Sequence, residues 1–428
     1  MKNSLIVLHI GNSNVSFTRF IDILQSEKLD KLIIFTTSKD NLYDKIISSC
    51  SGDIIFEKHK HKLISCEYKL NYLYLFFQKI FNYSIRLSFS TYLIKFFLNK
   101  MEFLIDSYLK ISRLPELDYV LNKYNPDFIW SGSHNFDNSN LLTWFISKKT
   151  SVKIVRSYKE TNGAFMLDEK KALEVSNVNI FPTKSYANHF LTLYPEIDFS
   201  LKNIFYGDED WRYSGLINYL SKEDVQKHSS VDNIPHIVIL TGRATFGEND
   251  SFTNNRYNYL NLINEFINEG VHVHLHCAFF YNSDLNKIDS SINNPYYIIQ
   301  KNNSFFHIEG KINLENSFEN YKILKKYDAG ILHNYNSSDK LALFSKINIP
   351  NRLYEYQMCN VRPILIFDTM KEVEKIISNT NFGFLGNNYK EICSKMKVFV
   401  NEVNQPDINV STLNSYSDFS EIILNKII

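Results

Sequence analysis

Short β-rich runs alternating with helix-period segments constrain this chain more than any other feature of its sequence. "SLIVLHIG", "KLIIFTT", "DFIWSGS", "VKIVRSY" and "VNIFPT" are separated by amphipathic stretches such as "NVSFTRFIDILQ" and "SYANHFLTLY". Strands joined through helices pair in parallel, with the helices covering the sheet faces. The pattern breaks at the polar "NYLSKEDVQKHSSVDNIP" and restarts with "HIVILTGR", "VHVHLHCAFF", "YYIIQ", "FFHIEGK", "DAGILHN" and "RPILIF", with "NRYNYLNLINEFINEG" and "LENSFENYKILKKY" as joining helices. The restart predicts an α/β protein of two doubly wound parallel-sheet domains facing a cleft, with ligands at the C-terminal strand edges. The expected boundaries are 1–218, a linker over 219–235, a second domain over 236–405, and a helix in 406–428 that returns to the first domain. Two cores also suit a chain of 428 residues.

Composition narrows the classes. Lys+Arg 47 against Asp+Glu 46 leaves a net charge of +1, which gives the whole chain no pull toward nucleic acid. Cys50, Cys66, Cys277, Cys359 and Cys393 form no CxxC pair and no disulfide framework, as expected of a protein in the reducing cytoplasm. The opening "MKNSLIVLHIGNSN" ends in a Gly-Asn turn rather than a small-residue cleavage site, and reads as the first strand.

Residues 58–113 form a basic, aromatic insertion in which Lys79, Arg86 and Lys95 interrupt any apolar span of the roughly 18 residues that a membrane helix needs. Two readings stand for it. It is an interfacial surface for anionic lipid at the inner face of the plasma membrane, or a set of helices packed on the first domain with lysines in water.

Chemistry concentrates in "INIPNRLYEYQMCNVRPIL", Ile347 to Leu365. A helix beginning at a sheet edge offers unbonded N–H groups and the positive end of its dipole to a phosphate, and a carboxylate one turn in can accept from two neighbouring hydroxyls. The motif Pro350, Arg352, Glu355, Tyr356, Asn360 and Pro363 resembles the donor-binding segment of GT-B fold glycosyltransferases, especially bacterial retaining enzymes of surface polysaccharide synthesis (family 4-like). The resemblance implies that Glu355 accepts from the donor ribose while Pro350, Asn351, Arg352 and Leu353 present the helix start to the diphosphate. Asn360 stands where that family usually has glycine, and Ile347 where it often has a second glutamate.

"HIVILTGRATFGEND" is similar to the Gly-Arg strand end of the same fold, so Gly242 and Arg243 are expected at the donor phosphates, with Lys346 or Arg352 supplying the second positive charge. The stretch from "FFHIEGK" to "ILHNYN" places Gly310, Lys311, His333 and Asn334 on the donor side by the same resemblance. In the first domain, Gly11, Asn12, His134, Arg156 and Glu160 follow or end strands and are expected to meet the acceptor. His134 and Glu160 are also candidates for proton transfer, with Arg243 and Lys346 stabilising the leaving group.

His272, His274 and His276 fall on one face of a strand. No carboxylate or cysteine in the local sequence completes a metal site, so these histidines are expected to meet a helix or solvent, and no metal is assigned. GxSxG, HExxH, GxxxxGK[ST] and a strand-linked GxGxxG are all absent.

The resemblance implies a metal-independent, retaining glycosyltransferase without a cofactor, since the nucleotide-sugar is a substrate, acting on a glycan or polyprenol-linked acceptor. A nucleotide-sugar 2-epimerase of the same fold and a catalytically silent glycan-binding scaffold are the alternatives.

Overall fold

The computed structural model describes residues 3–9, 29–36, 53–58, 99–100, 102–107, 109, 115–133, 139–158, 166–198, 203–206, 219–247, 257–312, 319–332, 347, 349–366, 370–402 and 425. The chain divides into two compact units, Met1–Tyr213 with Ser415–Ile428, and Ser214–Asn414. Most of the 58–113 insertion and nearly all of the expected C-terminal helix in 406–428 lie outside the described residues. Among the described residues, no helix is long and apolar enough to cross a membrane.

The first unit is built on seven parallel strands: β1 (Asn3–His9), β2 (Leu29–Thr36), β3 (Asp53–Lys58), β4 (Phe128–Ser133), β5 (Lys153–Tyr158), β6 (Val178–Phe181) and β7 (Asn203–Tyr206). Their order is β3-β2-β1-β4-β5-β6-β7, so the winding reverses between β1 and β4. Helices α1 (Pro115–Tyr124), α2 (Ser139–Lys149), α3 (Leu167–Val175) and α4 (Lys184–Leu193) accompany it. Ile129, Ile154, Trp144 and Leu117 join strand to helix in one buried cluster. Thr183 caps α4 by accepting from the Tyr186 N–H at 3.0 Å, which explains why this helix begins where it does.

The second unit carries β8 (His236–Leu240), β10 (His272–Cys277), β13 (Phe306–Gly310), β14 (Ala329–Ile331), β15 (Arg362–Ile366) and β16 (Phe384–Gly386) in the order β13-β10-β8-β14-β15-β16. This is the 3-2-1-4-5-6 winding of a dinucleotide-type fold, and its switch point lies between β8 and β14. A small side sheet of β9 (Ala244–Phe246), β11 (Phe280–Asn282) and β12 (Lys287–Ile288) grows from the ends of β8 and β10. Described helices of this unit are α5 (Ser229–Asp232), α6 (Leu260–Asn268), α7 (Pro295–Asn302), α8 (Glu319–Lys325), α9 (Asn351–Met358), α10 (Lys371–Thr380) and α11 (Tyr389–Asn401).

Several expectations change. "YYIIQ", expected as a strand, lies in α7, because Pro295 occupies the first turn and Asn294 accepts from the Tyr296 N–H at 3.0 Å. "VHVHLHCAFF" is not one strand but β10 and β11, interrupted at Ala278 and Phe279. Strands β3, β7 and β16 at the sheet edges were not anticipated. Cys277, Cys359 and Cys393 are free and buried, and burial pushes the Cys277 and Cys393 thiols up to about 12.

Helix α9 is fixed against β14 by a large residue set over a glycine. Tyr356 is fully buried, and its hydroxyl donates to the Ile331 carbonyl at 3.2 Å. A Cβ on Gly330 would stand 2.4 Å from the ring carbon Cζ of Tyr356, so only glycine lets the helix approach this closely. After α9 the chain turns at Asn360, whose φ of 54° is left-handed, and enters β15. The carbonyl of Asn360 accepts from the Lys227 ammonium at 2.9 Å.

Two substitutions test this junction by urea unfolding. Gly330→Ala is expected to cost about 1–3 kcal/mol, through displacement of Tyr356. Asn360→Val is expected to cost about 1–2 kcal/mol whereas Asn360→Gly stays close to the parent, since glycine and asparagine tolerate the left-handed region and a β-branched residue resists it most.

Candidate functional site

In a parallel sheet every strand ends on the same edge, and a ligand settles where the winding reverses. In the second unit that point is flanked by the end of β8. There the chain runs Thr241, Gly242, Arg243 before entering β9. Thr241 holds the turn: its hydroxyl donates to the Arg243 carbonyl at 2.6 Å. Gly242 is exposed, and a Cβ built on it would meet nothing within 4 Å, so the backbone here borders open space. The Arg243 guanidinium lies 4.8 Å from the Tyr257 ring centroid and 6.0 Å from that of Tyr281. Aromatic faces thus orient a planar cation beside an exposed glycine.

Helix α9 begins after the loop that follows β14, which puts its N-terminus on the same edge. Pro350 is the N-cap residue, and its side chain makes no capping hydrogen bond to the helix. The Arg352 guanidinium lies 3.6 Å from Glu355 Oε2, an i,i+3 pair in which the carboxylate side chain is 13% exposed. The buried Tyr259 hydroxyl is hydrogen-bonded to Thr241 and feels the charge of Arg352, although desolvation dominates and drives its pKa upward. The switch point thus brings together Arg243 at the end of β8 and the Arg352–Glu355 pair at the start of α9, two guanidinium groups and one carboxylate on the same sheet edge.

The remaining expectations divide. Gly310 and Lys311 are exposed at the end of β13, two strands away from β8. Leu353 corrects the reading of this segment: it is fully buried and its N–H donates to the Pro350 carbonyl at 2.9 Å, so its role is to seat the helix. Arg156 is likewise not presented at an open edge. It is fully buried within β5, its Nη2 donates to Asn140 Oδ1 at 2.7 Å, and its charge lies over the Tyr158 ring at 5.1 Å. Desolvation lowers its pKa while Tyr158, Glu169 and Asp168 oppose that shift. Gly11, Asn12, His134, Glu160, His333, Asn334, Lys346 and the side chain of Asn351 lie outside the described residues.

A second constellation was not anticipated. His272 and His274 on β10 lie against other histidines, and His276 lies against Tyr327. Register pairs His272 with His236 on β8 and His274 with His307 on β13, so all five imidazoles share one face of the sheet. His236 Nδ1 is 2.9 Å from His274 Nε2, and His272 Nδ1 is 3.0 Å from His307 Nε2. His274 Nδ1 faces Glu309 Oε1 at 3.2 Å, and His228 stacks on His274 at 5.4 Å. His276 is held by the Gly310 carbonyl at 2.8 Å and the Tyr327 hydroxyl at 2.7 Å.

Desolvation lowers His236 to about 4 and His274 to about 2, and neighbouring imidazoles add to both shifts. The carboxylate judged missing from the local sequence is Asp232 of α5, 40 positions before His272. The period-two histidines were the only signal in the sequence. Their partners are brought by strand pairing.

No protein-family model and no curated protein sequence matches the chain. Solved structures do. The Anabaena protein HepE in complex with UDP matches with a TM-score of 0.53 at 9% identity, over 100% of this chain and 99% of that one. Its complex with UDP-glucose gives 0.51 at 9% identity over 99% of both chains. The UDP-GlcNAc 2-epimerase of Methanocaldococcus jannaschii gives 0.50 at 10% identity over 99% of both chains. With its two parallel sheets and their helices, the chain has the GT-B fold.

Proposed function

We propose that the protein is an enzyme acting on a nucleotide-activated sugar, and that it transfers the sugar to a glycan or polyprenol-linked acceptor in surface polysaccharide synthesis. The observation that carries this reading is the group at the switch point of the second unit: Arg243, Arg352, Glu355 and the uncapped start of α9. Glu355 accepts from the two ribose hydroxyls of the donor. Arg243 and the α9 N–H groups take the diphosphate, with Lys346 or Arg352 as the second cation, and together they offset the charge that grows on the departing nucleotide. That HepE is solved with UDP and with UDP-glucose supports a uridine nucleotide as the first ligand to try.

No residue in this scheme requires a metal or a redox cofactor, and retention at the anomeric carbon accompanies the family 4-like reading. The first unit takes the acceptor through Gly11, Asn12, His134 and Glu160. A polyprenol-linked acceptor would hold the enzyme at the inner membrane face, with residues 58–113 as its basic surface.

A nucleotide-sugar 2-epimerase is the second reading, favoured by the likeness to the Methanocaldococcus jannaschii epimerase. The two part on one requirement. An epimerase interconverts the sugar of UDP-GlcNAc without any acceptor, whereas a transferase leaves the C2 configuration intact and releases UDP when an acceptor is present.

A thermal-shift screen of UDP, GDP, dTDP and CDP should show one nucleotide raising Tm, by mass action equivalent to about 2.7 kcal/mol at 100 times Kd. Glu355→Gln is expected to weaken that nucleotide by roughly 10- to 100-fold, the equivalent of a hydrogen bond to a charged group. Equal affinity of Glu355→Gln and parent, or no shift with any nucleotide, defeats the proposal. Flotation with vesicles containing anionic lipid tests the surface assignment: recovery of the protein with the vesicles at low salt and its release at high salt are expected.

A further inference from the structure

The histidine face of the second sheet is tied at one end to a carboxylate. Asp232 Oδ1 accepts from the Ile234 N–H at 2.9 Å, which leaves Oδ2 for the imidazoles. His236 Nε2 lies 3.0 Å and His272 Nε2 3.5 Å from that same oxygen. One ligating atom from each of the three side chains lies within 4.8 Å of the others. Three potential ligand atoms are therefore gathered in one place, with the His236 and His272 rings stacked at 4.4 Å.

Counting protons shows what is missing there. The ladder Asp232, His236, His274, Glu309 has three polar contacts and a carboxylate at each end. Carboxylates only accept, and two neutral imidazoles bring one proton each, so one contact lacks a proton. A metal cation at the Asp232 end, taking the His236 Nε2 lone pair, would fill that gap. His236 Nδ1 would then donate to His274, and His274 Nδ1 to Glu309. His272 Nδ1 would donate to His307 in the same manner. Each ligating imidazole would have its other nitrogen oriented by a neighbour, which is how ligand histidines are usually held.

We propose that Asp232, His236 and His272 bind a borderline divalent transition-metal ion, with zinc as the reference case, through one carboxylate oxygen and two Nε2 atoms. Tetrahedral zinc with bonds of about 2.0–2.1 Å separates its ligand atoms by about 3.3 Å, a value bracketed by the 3.0 and 3.5 Å separations from Asp232 Oδ2. Two imidazoles and a carboxylate leave a fourth position for water. His236 and His272 are the first residues of β8 and β10, so the ion sits at the N-terminal edge of the sheet. A five-residue strand spans roughly 16 Å, which separates it from Arg243 and α9. Its role is to bind α5 and the segment entering β8 to the sheet, and it stands or falls independently of nucleotide binding.

The test uses the full chain without an affinity tag, stripped with chelator, desalted and titrated with Zn²⁺, and with Co²⁺ as the spectroscopic probe. One equivalent of Zn²⁺, visible absorption characteristic of tetrahedral Co²⁺ and a raised Tm are expected. Asp232→Asn and His272→Gln should each weaken binding by at least about 100-fold, and His307→Gln, which reaches the ion only through His272, by about 10-fold. His307→Gln also serves if a ligand variant does not fold. Substoichiometric binding by the parent chain, or parent-like affinity in the folded variants, overturns the proposal.

Discussion

The seating of Tyr356 over Gly330 governs the second unit's chemistry. A residue with any side chain at Gly330 would lift α9 off β14, because a Cβ there falls 2.4 Å from the ring. Once the helix is seated, the 3.6-residue period sends Leu353, Tyr354, Tyr356 and Gln357 into buried surroundings and leaves Arg352 and Glu355 on the remaining flank. The lone carboxylate among aromatics thus has a packing explanation as well as a chemical one. Its neighbours are large because the helix is gripped on several sides, and Glu355 is tolerated at 13% exposure because Arg352 stands one turn before it.

Alternation of strand and helix was legible because each strand of a parallel sheet is apolar on both faces and each covering helix on one. The failures share a cause. "YYIIQ" is a five-residue apolar run that fits either a strand or a helix, and the decision came from Asn294 and Pro295 before it. Strands β3, β7 and β16 were missed at sheet edges, where a strand pairs on one side only. The side sheet went unseen because the strand breaks at Ala278 and Phe279 inside a continuous apolar run that holds no proline or glycine.

The placement of the candidate site was legible where main-chain position alone decides it. Gly242, Arg243 and the start of α9 lie at strand ends, and any correct strand assignment carries them to the switch point. Leu353 and Arg156 were misjudged because sequence position says where a residue lies along its element and not which way its side chain turns. Arg156 stands in a strand buried on both faces, where a cation survives by bonding to Asn140 and lying over Tyr158.

The histidines expose the limit of reading one element at a time. Period two on β10 showed that His272, His274 and His276 share a face, but the character of a sheet face depends on the strands beside it. Two-register pairing adds His236 and His307 to that face, while the opposite face holds Ile237, Ile239, Val273, Leu275 and Phe306 in the core. An interior strand with one apolar and one imidazole face is stable only if every ring nitrogen finds a partner, since each unmet contact in a partly dry layer costs on the order of 1–3 kcal/mol. The network meets that demand at Glu309, Gly310 and Tyr327 and ends at Asp232, where the layer reaches the sheet edge. The same parallel winding gathers cationic groups at one edge and potential ligand atoms at the other, because each edge collects only strand starts or only strand ends.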